Sequence, residues 1–253
     1  MSLNKGDKEI TLLTKVPPKT APKTITTNGT YKASDENLDG YSEVEVQTSG
    51  VDINDYMGQN IDYAHNTVLK LIKKLPELNI SVITNMDNFF SYMSYLTELK
   101  NIDMSNITSA YRICCGCSSL TIVELKDTKK VKSMKEGFYG CTSLETISAF
   151  DGSSLNDVNR MFQNCTAIKN VGGIIDIGKA YETTATEAYT NYTLSFGNAL
   201  KLTRESLMNI INNLYDIKTK GCKPQKLILT PTNLSKLTEE EVAIATNKGW
   251  IVS

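Results

Sequence analysis

The chain has a single histidine, His65, a single tryptophan, Trp250, and no surplus of charge, with 27 Lys+Arg against 28 Asp+Glu in 253 residues. Each shortage closes off a class of function. Any Ser-His-Asp or Cys-His arrangement has only His65 to draw on. Phosphate binding is driven by clustered cations that release counterions, and no basic stripe is present, so no nucleic-acid partner is expected. No apolar run approaches the roughly 18 residues of a bilayer span, and the opening MSLNKGDKEI lacks the apolar core of a signal peptide. These absences predict no membrane span. They also predict a product made in the cytoplasm that reaches the exterior by lysis, by an unusual export route or inside a particle. A hydrophobic fraction of 40% suffices for a core without covalent staples.

The chain does have a repeat. Phe90, Cys114, Phe138 and Phe162 stand 24 residues apart, as do Met93, Cys117, Cys141 and Cys165. The same step links Leu96, Leu120, Leu144 and Ile168, then Leu99, Val123, Ile147 and Val171, and for three members Ile107, Val131 and Leu155. Four units therefore run from about Met86 to Ile177. One unit cannot bury its apolar side alone, whereas stacked copies share a continuous core with like residues over like. Segments such as Thr121-Ile-Val-Glu-Leu125 have strand character.

Four of the six cysteines, Cys114, Cys117, Cys141 and Cys165, stand in the columns of the repeat. Cys114-Cys-Gly-Cys117 contains a CxxC, whose chemistry would be redox or zinc, but Cys114 sits in the phenylalanine column and Cys117 in the Met93 column. This placement predicts buried thiols acting as small apolar side chains. A second ligand pair is missing, and Cys222 stands alone near a turn. Asp55 with Asp62, and Glu239 to Glu241, read as solvated helix faces and charges favourable to a helix N-terminus. Gly172-Gly173 lies inside a repeat without a phosphate-loop context. No catalytic, cofactor-binding or metal-ligating residue is predicted, and no binding residue is nominated. Glu124, Lys126, Glu145 and Ser148 should project from the repeats as solubilising groups.

Met161-Phe-Gln-Asn-Cys-Thr-Ala-Ile168 and Phe138-Tyr-Gly-Cys-Thr-Ser-Leu144 resemble the MF-x-x-C-x-x-L repeat of BspA-like leucine-rich-repeat proteins, most of all a group associated with phages and prophages of Gram-positive bacteria. The segments Leu202 to Leu214 and Leu237 to Trp250 are similar to that group's closing segments. Ile25-Thr-Thr-Asn-Gly-Thr-Tyr31 with Asp39 to Val46 is similar to small β modules of virion proteins. The resemblance implies a non-enzymatic bacteriophage structural protein in the tail, baseplate or another exposed position, localised to the virion. The implied partners are other virion proteins, met through the N-terminal region, and a host-surface protein or glycan. A bacterial surface adhesin and an intracellular interaction scaffold are the alternatives.

The expected architecture is mixed α/β. Residues 1–23, with three prolines in Lys15-Val-Pro-Pro-Lys-Thr-Ala-Pro-Lys23, read as an extended arm or linker. Residues 24–50 read as a small β module with a turn at Asn28-Gly29 and apolar positions at Tyr41, Val44 and Val46. Residues 51–85 read as a helix and N-terminal cap. Met57, Ile61, Ala64, Val68, Leu71 and Leu75 form one seam before Pro76, which would close the repeat stack or join copies into a homo-oligomer through residues 51–75. Residues 86–177 hold the four leucine-rich repeats of the solenoid. Residues 178–253 hold an irregular connection, with Tyr181, Tyr189 and Tyr192, and a βα C-terminal cap. In that cap Thr203 starts a helix with Leu207, Ile210, Ile211 and Leu214 on its face, and Thr238 to Glu241 is a capping box.

Overall fold

The computed structural model describes residue 80 and residues 83–180 and 193–253 in full, and before them the backbone of six short strands. The chain is a mixed α/β protein with parallel sheets and few helices.

Among the six strands, β1 (Lys8–Thr11) pairs antiparallel with β2 (Thr24–Thr27). β3 (Val44–Glu45) pairs parallel with β5 (Ile72–Lys74), and β4 (Ser49–Asp52) with β6 (Glu77–Asn79). Within the stretch read as an extended arm or linker, Lys8–Thr11 is a paired strand. One expectation changes here. The helix expected over 52–75 does not extend through Ile72–Lys74, which is strand, nor through Asp52, which ends one. Pro76 disfavours helical backbone at the residue before it, and β-branched Ile72 suits the pairing that Val44–Glu45 offers. Residues 53–71, with His65, Asp55, Asp62 and most of the apolar seam, lie outside the described residues, as do Asn28-Gly29 and the three connection tyrosines.

From residue 83 onward the 24-residue step becomes a register. β7 (Glu98–Asp103), β8 (Ile122–Lys126), β9 (Thr146–Ile147) and β11 (Asn170–Val171) form a four-stranded parallel sheet in chain order. In it Leu99 pairs with Val123, Val123 with Ile147 and Ile147 with Val171. A second ladder of single bridges links Asn85, Ser109, Ser133 and Asp157. β10 (Phe150–Asp151) and β12 (Ile174–Ile175) supply a third. With three ladders tying neighbouring units, the columns superpose and exclude water. Phe90, Met93, Leu96, Cys114, Cys117, Leu120, Phe138, Cys141, Leu144, Cys165 and Ile168 are all completely buried. Each such Leu or Phe contributes about 1.5–3 kcal/mol by leaving water.

The columns continue past Ile177. Phe138 stacks on Phe162 with ring centroids 5.8 Å apart, and Phe162 stacks on Phe196 at 4.9 Å. Phe196 follows β13 (Thr193–Ser195), which forms a three-stranded parallel sheet with β14 (Gln225–Ile228) and β15 (Trp250–Val252). The connections carry α1 (Arg204–Asn212), the short α2 (Pro231–Leu234) and α3 (Glu239–Asn247). Thr203 caps α1 by accepting from the Ser206 amide, and Thr238 and Glu241 close a reciprocal capping box on α3. Gly249, φ 94°, supplies the left-handed residue that turns α3 into β15. No helix among the described residues is long and apolar enough to cross a membrane.

α1 covers the last strand of the four-stranded sheet. The Ser206 hydroxyl donates to the Lys169 carbonyl at 2.9 Å and accepts from the Val171 amide at 2.9 Å. The Asn209 amide group donates to the Val171 carbonyl at 3.2 Å. Side chains on a helix thus stand in for the backbone of a next strand, and the sheet edge is closed.

Candidate binding face

The thiols are committed to the core. Cys117 Sγ donates to the Phe90 carbonyl at 2.9 Å, Cys141 Sγ to that of Cys114 at 3.0 Å, and Cys165 Sγ to that of Phe138 at 2.9 Å. Burial pushes Cys114 and Cys141 well above the usual thiol value and Cys165 up to about 12. At neutral pH these groups are neutral thiols, whereas nucleophiles and metal ligands are thiolates. Cys222 is half-buried near its turn. Among the described residues no group of three or more His, Cys, Asp or Glu side chains is placed to hold a metal ion. Gly172-Gly173 has a packing role: a Cβ on Gly172 would stand 2.4 Å from the Ala149 backbone nitrogen, so glycine is what lets the units approach.

The four-stranded sheet shows solvent a surface of mixed charge. Lys126 and Glu145 are exposed, Glu124 and Ser148 half-buried. Lys169 pairs with Glu145 at 2.8 Å and Lys100 with Glu98 at 2.7 Å. Exposed pairs of this kind contribute little.

A different surface is built by the turns that precede the sheet strands. Two columns of left-handed residues repeat through the units, one of them Asn88 (φ 59°), Arg112 (53°), Glu136 (54°) and Arg160 (56°). The other is Tyr92 (61°), Gly116 (76°), Gly140 (74°) and Asn164 (65°). Glycine or asparagine adopts this conformation cheaply, but a side chain such as Arg or Glu costs about 1 kcal/mol or more there. Three charged residues nevertheless fill the first column, and they form an ion triad. Arg112 Nε donates to Glu136 Oε2 at 2.7 Å and its Nη2 lies 2.6 Å from the same oxygen, while Arg160 Nη1 lies 3.9 Å from Oε1. The Glu136 side chain is only 9% exposed, against 60% for Arg160.

Around the triad lie tyrosines and bare backbone. The Arg112 guanidinium sits 5.3 Å from the centre of the Tyr111 ring. Tyr92 is 44% exposed and its ring rests over Gly116, where a Cβ would come within 2.7 Å of it. Cys115 beside Tyr92, and partial burial, push the tyrosine hydroxyl above its ordinary value. Burial raises the Cys115 thiol too, with Arg112 opposing. The face combines an exposed aromatic, two guanidinium groups, a shielded carboxylate and glycine-lined backbone, which suits recognition and offers no nucleophile–base pair.

None of these side chains is singled out by hydrophobic periodicity. The signal was nonetheless in the sequence, as Arg112, Glu136 and Arg160 alternate in sign at the 24-residue step.

Residues 59–173, which span the sheet, the triad and the thiol columns, match the family model described as Mycoplasma protein of unknown function, DUF285. No curated protein and no solved structure matches the chain.

Proposed function

We propose that this chain is a non-enzymatic bacteriophage structural protein, a tail, baseplate or other exposed component of the virion, built on a leucine-rich-repeat solenoid over residues 86–177. The observation that carries the reading is the 24-residue register that recurs from Asn85 to Val171, shifted by one residue only between Leu99 and Ile102 in β7, which holds side chains at regular spacing on a common support. The mechanism is physical. The N-terminal region anchors the chain to other virion proteins, and the repeat stack presents its turn face to a host-surface protein or glycan.

Two further observations support this reading. The chemistry-bearing thiols are packed and hydrogen-bonded within the stack. The opening and closing segments resemble modules of phage-associated repeat proteins, and the phage assignment rests on that resemblance. The repeat resemblance also favours a second reading, a bacterial surface adhesin. Quantitative mass spectrometry of purified particles separates the two: the proposal requires recovery in fixed stoichiometry with the other virion proteins. Recovery from host envelope or cytosol alone rejects it.

A further inference from the structure

Resting on the reading of the chain as a presented scaffold, we infer that the turn face binds a polysaccharide segment, with the Tyr92 ring as stacking platform and Arg160 as the cation for an acidic substituent. A sugar ring offers axial C–H groups to an aromatic face and vicinal hydroxyls to planar polar side chains. Both halves of that chemistry lie in adjacent columns here. Tyr92 is 44% exposed, and its ring lies against Gly116. In the next unit Gly140 is bare: a Cβ there would meet only the Gly116 backbone, at 3.8 and 3.9 Å, so the floor beside the ring is open. Beyond it, half-buried Gln163 and Asn164 supply amide donors and acceptors.

The two arginines are not equivalent. Arg112 is bound tightly to Glu136, at 2.6 and 2.7 Å, whereas Arg160 is 60% exposed and 3.9 Å from the same carboxylate. Glu136 therefore neutralises Arg112 and leaves Arg160 as the cation turned to solvent. From the unit of Tyr92 to that of Arg160 is three strand spacings, about 14 Å at about 4.8 Å each, the reach of a short run of sugars rather than one. A protein partner would need a cluster of apolar anchors at the centre of its footprint. Among the described residues the other exposed large hydrophobic side chains, Ile175, Leu200 and Ile251, lie in neither column.

The test uses the full chain and two immobilised probes, polygalacturonate as the acidic polysaccharide and dextran as the neutral one. Wild type should bind polygalacturonate more tightly than dextran. Tyr92→Ala and Arg160→Gln should each weaken that binding tenfold or more, and Tyr92→Phe should bind within twofold of wild type. Unchanged circular dichroism and melting temperature establish that the variants are folded. Failure of wild type to bind either probe overturns the inference, as does binding that Arg160→Gln abolishes and Tyr92→Ala leaves intact, the mark of bare charge attraction. Preference for a protein surface over both polysaccharides also overturns it. Stoichiometric recovery from particles without polysaccharide binding would remove this inference alone, and binding without particle association would remove the virion reading alone.

Discussion

Ser206 closes the edge of the strand at Val171, its hydroxyl accepting from the Val171 amide and donating to the Lys169 carbonyl, both at 2.9 Å. One side chain answers two backbone groups at the sheet edge, and it is the Val171 amide that depends on it, because the Lys169 carbonyl also accepts from the Thr203 amide. Ser206→Ala leaves the Val171 amide without its acceptor at a site only 2% exposed, a loss of about 1–3 kcal/mol, while the Lys169 carbonyl keeps the Thr203 amide at 3.0 Å. Urea unfolding should show a lower midpoint with unchanged slope, and hydrogen exchange at the Val171 amide should accelerate. An unchanged midpoint would mean that water or a relaxed backbone answers that amide instead.

The thiol column predicts alkaline sensitivity. A thiol whose pKa is higher in the folded state holds its proton there while the unfolded chain releases it. Stability is therefore full below the unfolded value near 9 and falls as pH rises toward the folded value, about 12 for Cys165. Cys114 and Cys141 shift the same way by burial. Each thiol should cost up to about 1.4 kcal/mol per pH unit within that window. Denaturant melts at pH 7, 8, 9.5 and 10.5 should coincide for the first pair and drop for the second. Flat stability across the series would show that the thiols titrate as freely when folded.

Accessibility gives an independent check on the same groups. In native chain at pH 8 an alkylating reagent should modify half-buried Cys222 and spare Cys114, Cys117, Cys141 and Cys165 until denaturant is added. Peptide mapping reads the order directly.

The left-handed column separates stability from function. Arg160 is exposed, only loosely paired and at φ 56°, so Arg160→Gly should be neutral or stabilising by up to about 1 kcal/mol. Glu136→Gln should cost about 1–2 kcal/mol, because its shielded carboxylate answers Arg112 directly. Calorimetry of the two variants measures both signs. A large loss for Arg160→Gly would assign that side chain to the scaffold and not to recognition.

What could be read in the sequence was whatever packing repeats. Phe90, Cys114, Phe138 and Phe162 carry a 24-residue step because each occupies the same buried place in successive units. The step to Phe196 is 34 residues, so the stacked column runs on through a break in spacing that periodicity reads as its end. The strand at Ile72–Lys74 was masked by a heptad-like spacing that continues into it. The Arg112–Glu136–Arg160 triad is silent to hydrophobic periodicity because polar columns on a surface carry no hydrophobic signal, although their geometry follows from the same register. Ser206 reads in sequence as an ordinary first-turn residue, and its role at Val171 exists only once the helix lies across the sheet edge.

The central claim is that the chain is a component of the particle that holds its turn face outward. Gold-labelled antibody raised against the folded chain, applied to intact purified particles, tests it most directly. The account predicts a fixed number of labels at one position on each particle, blocked by competing chain in solution. Unlabelled particles, with the antigen confined to host envelope or cytosol, would contradict it.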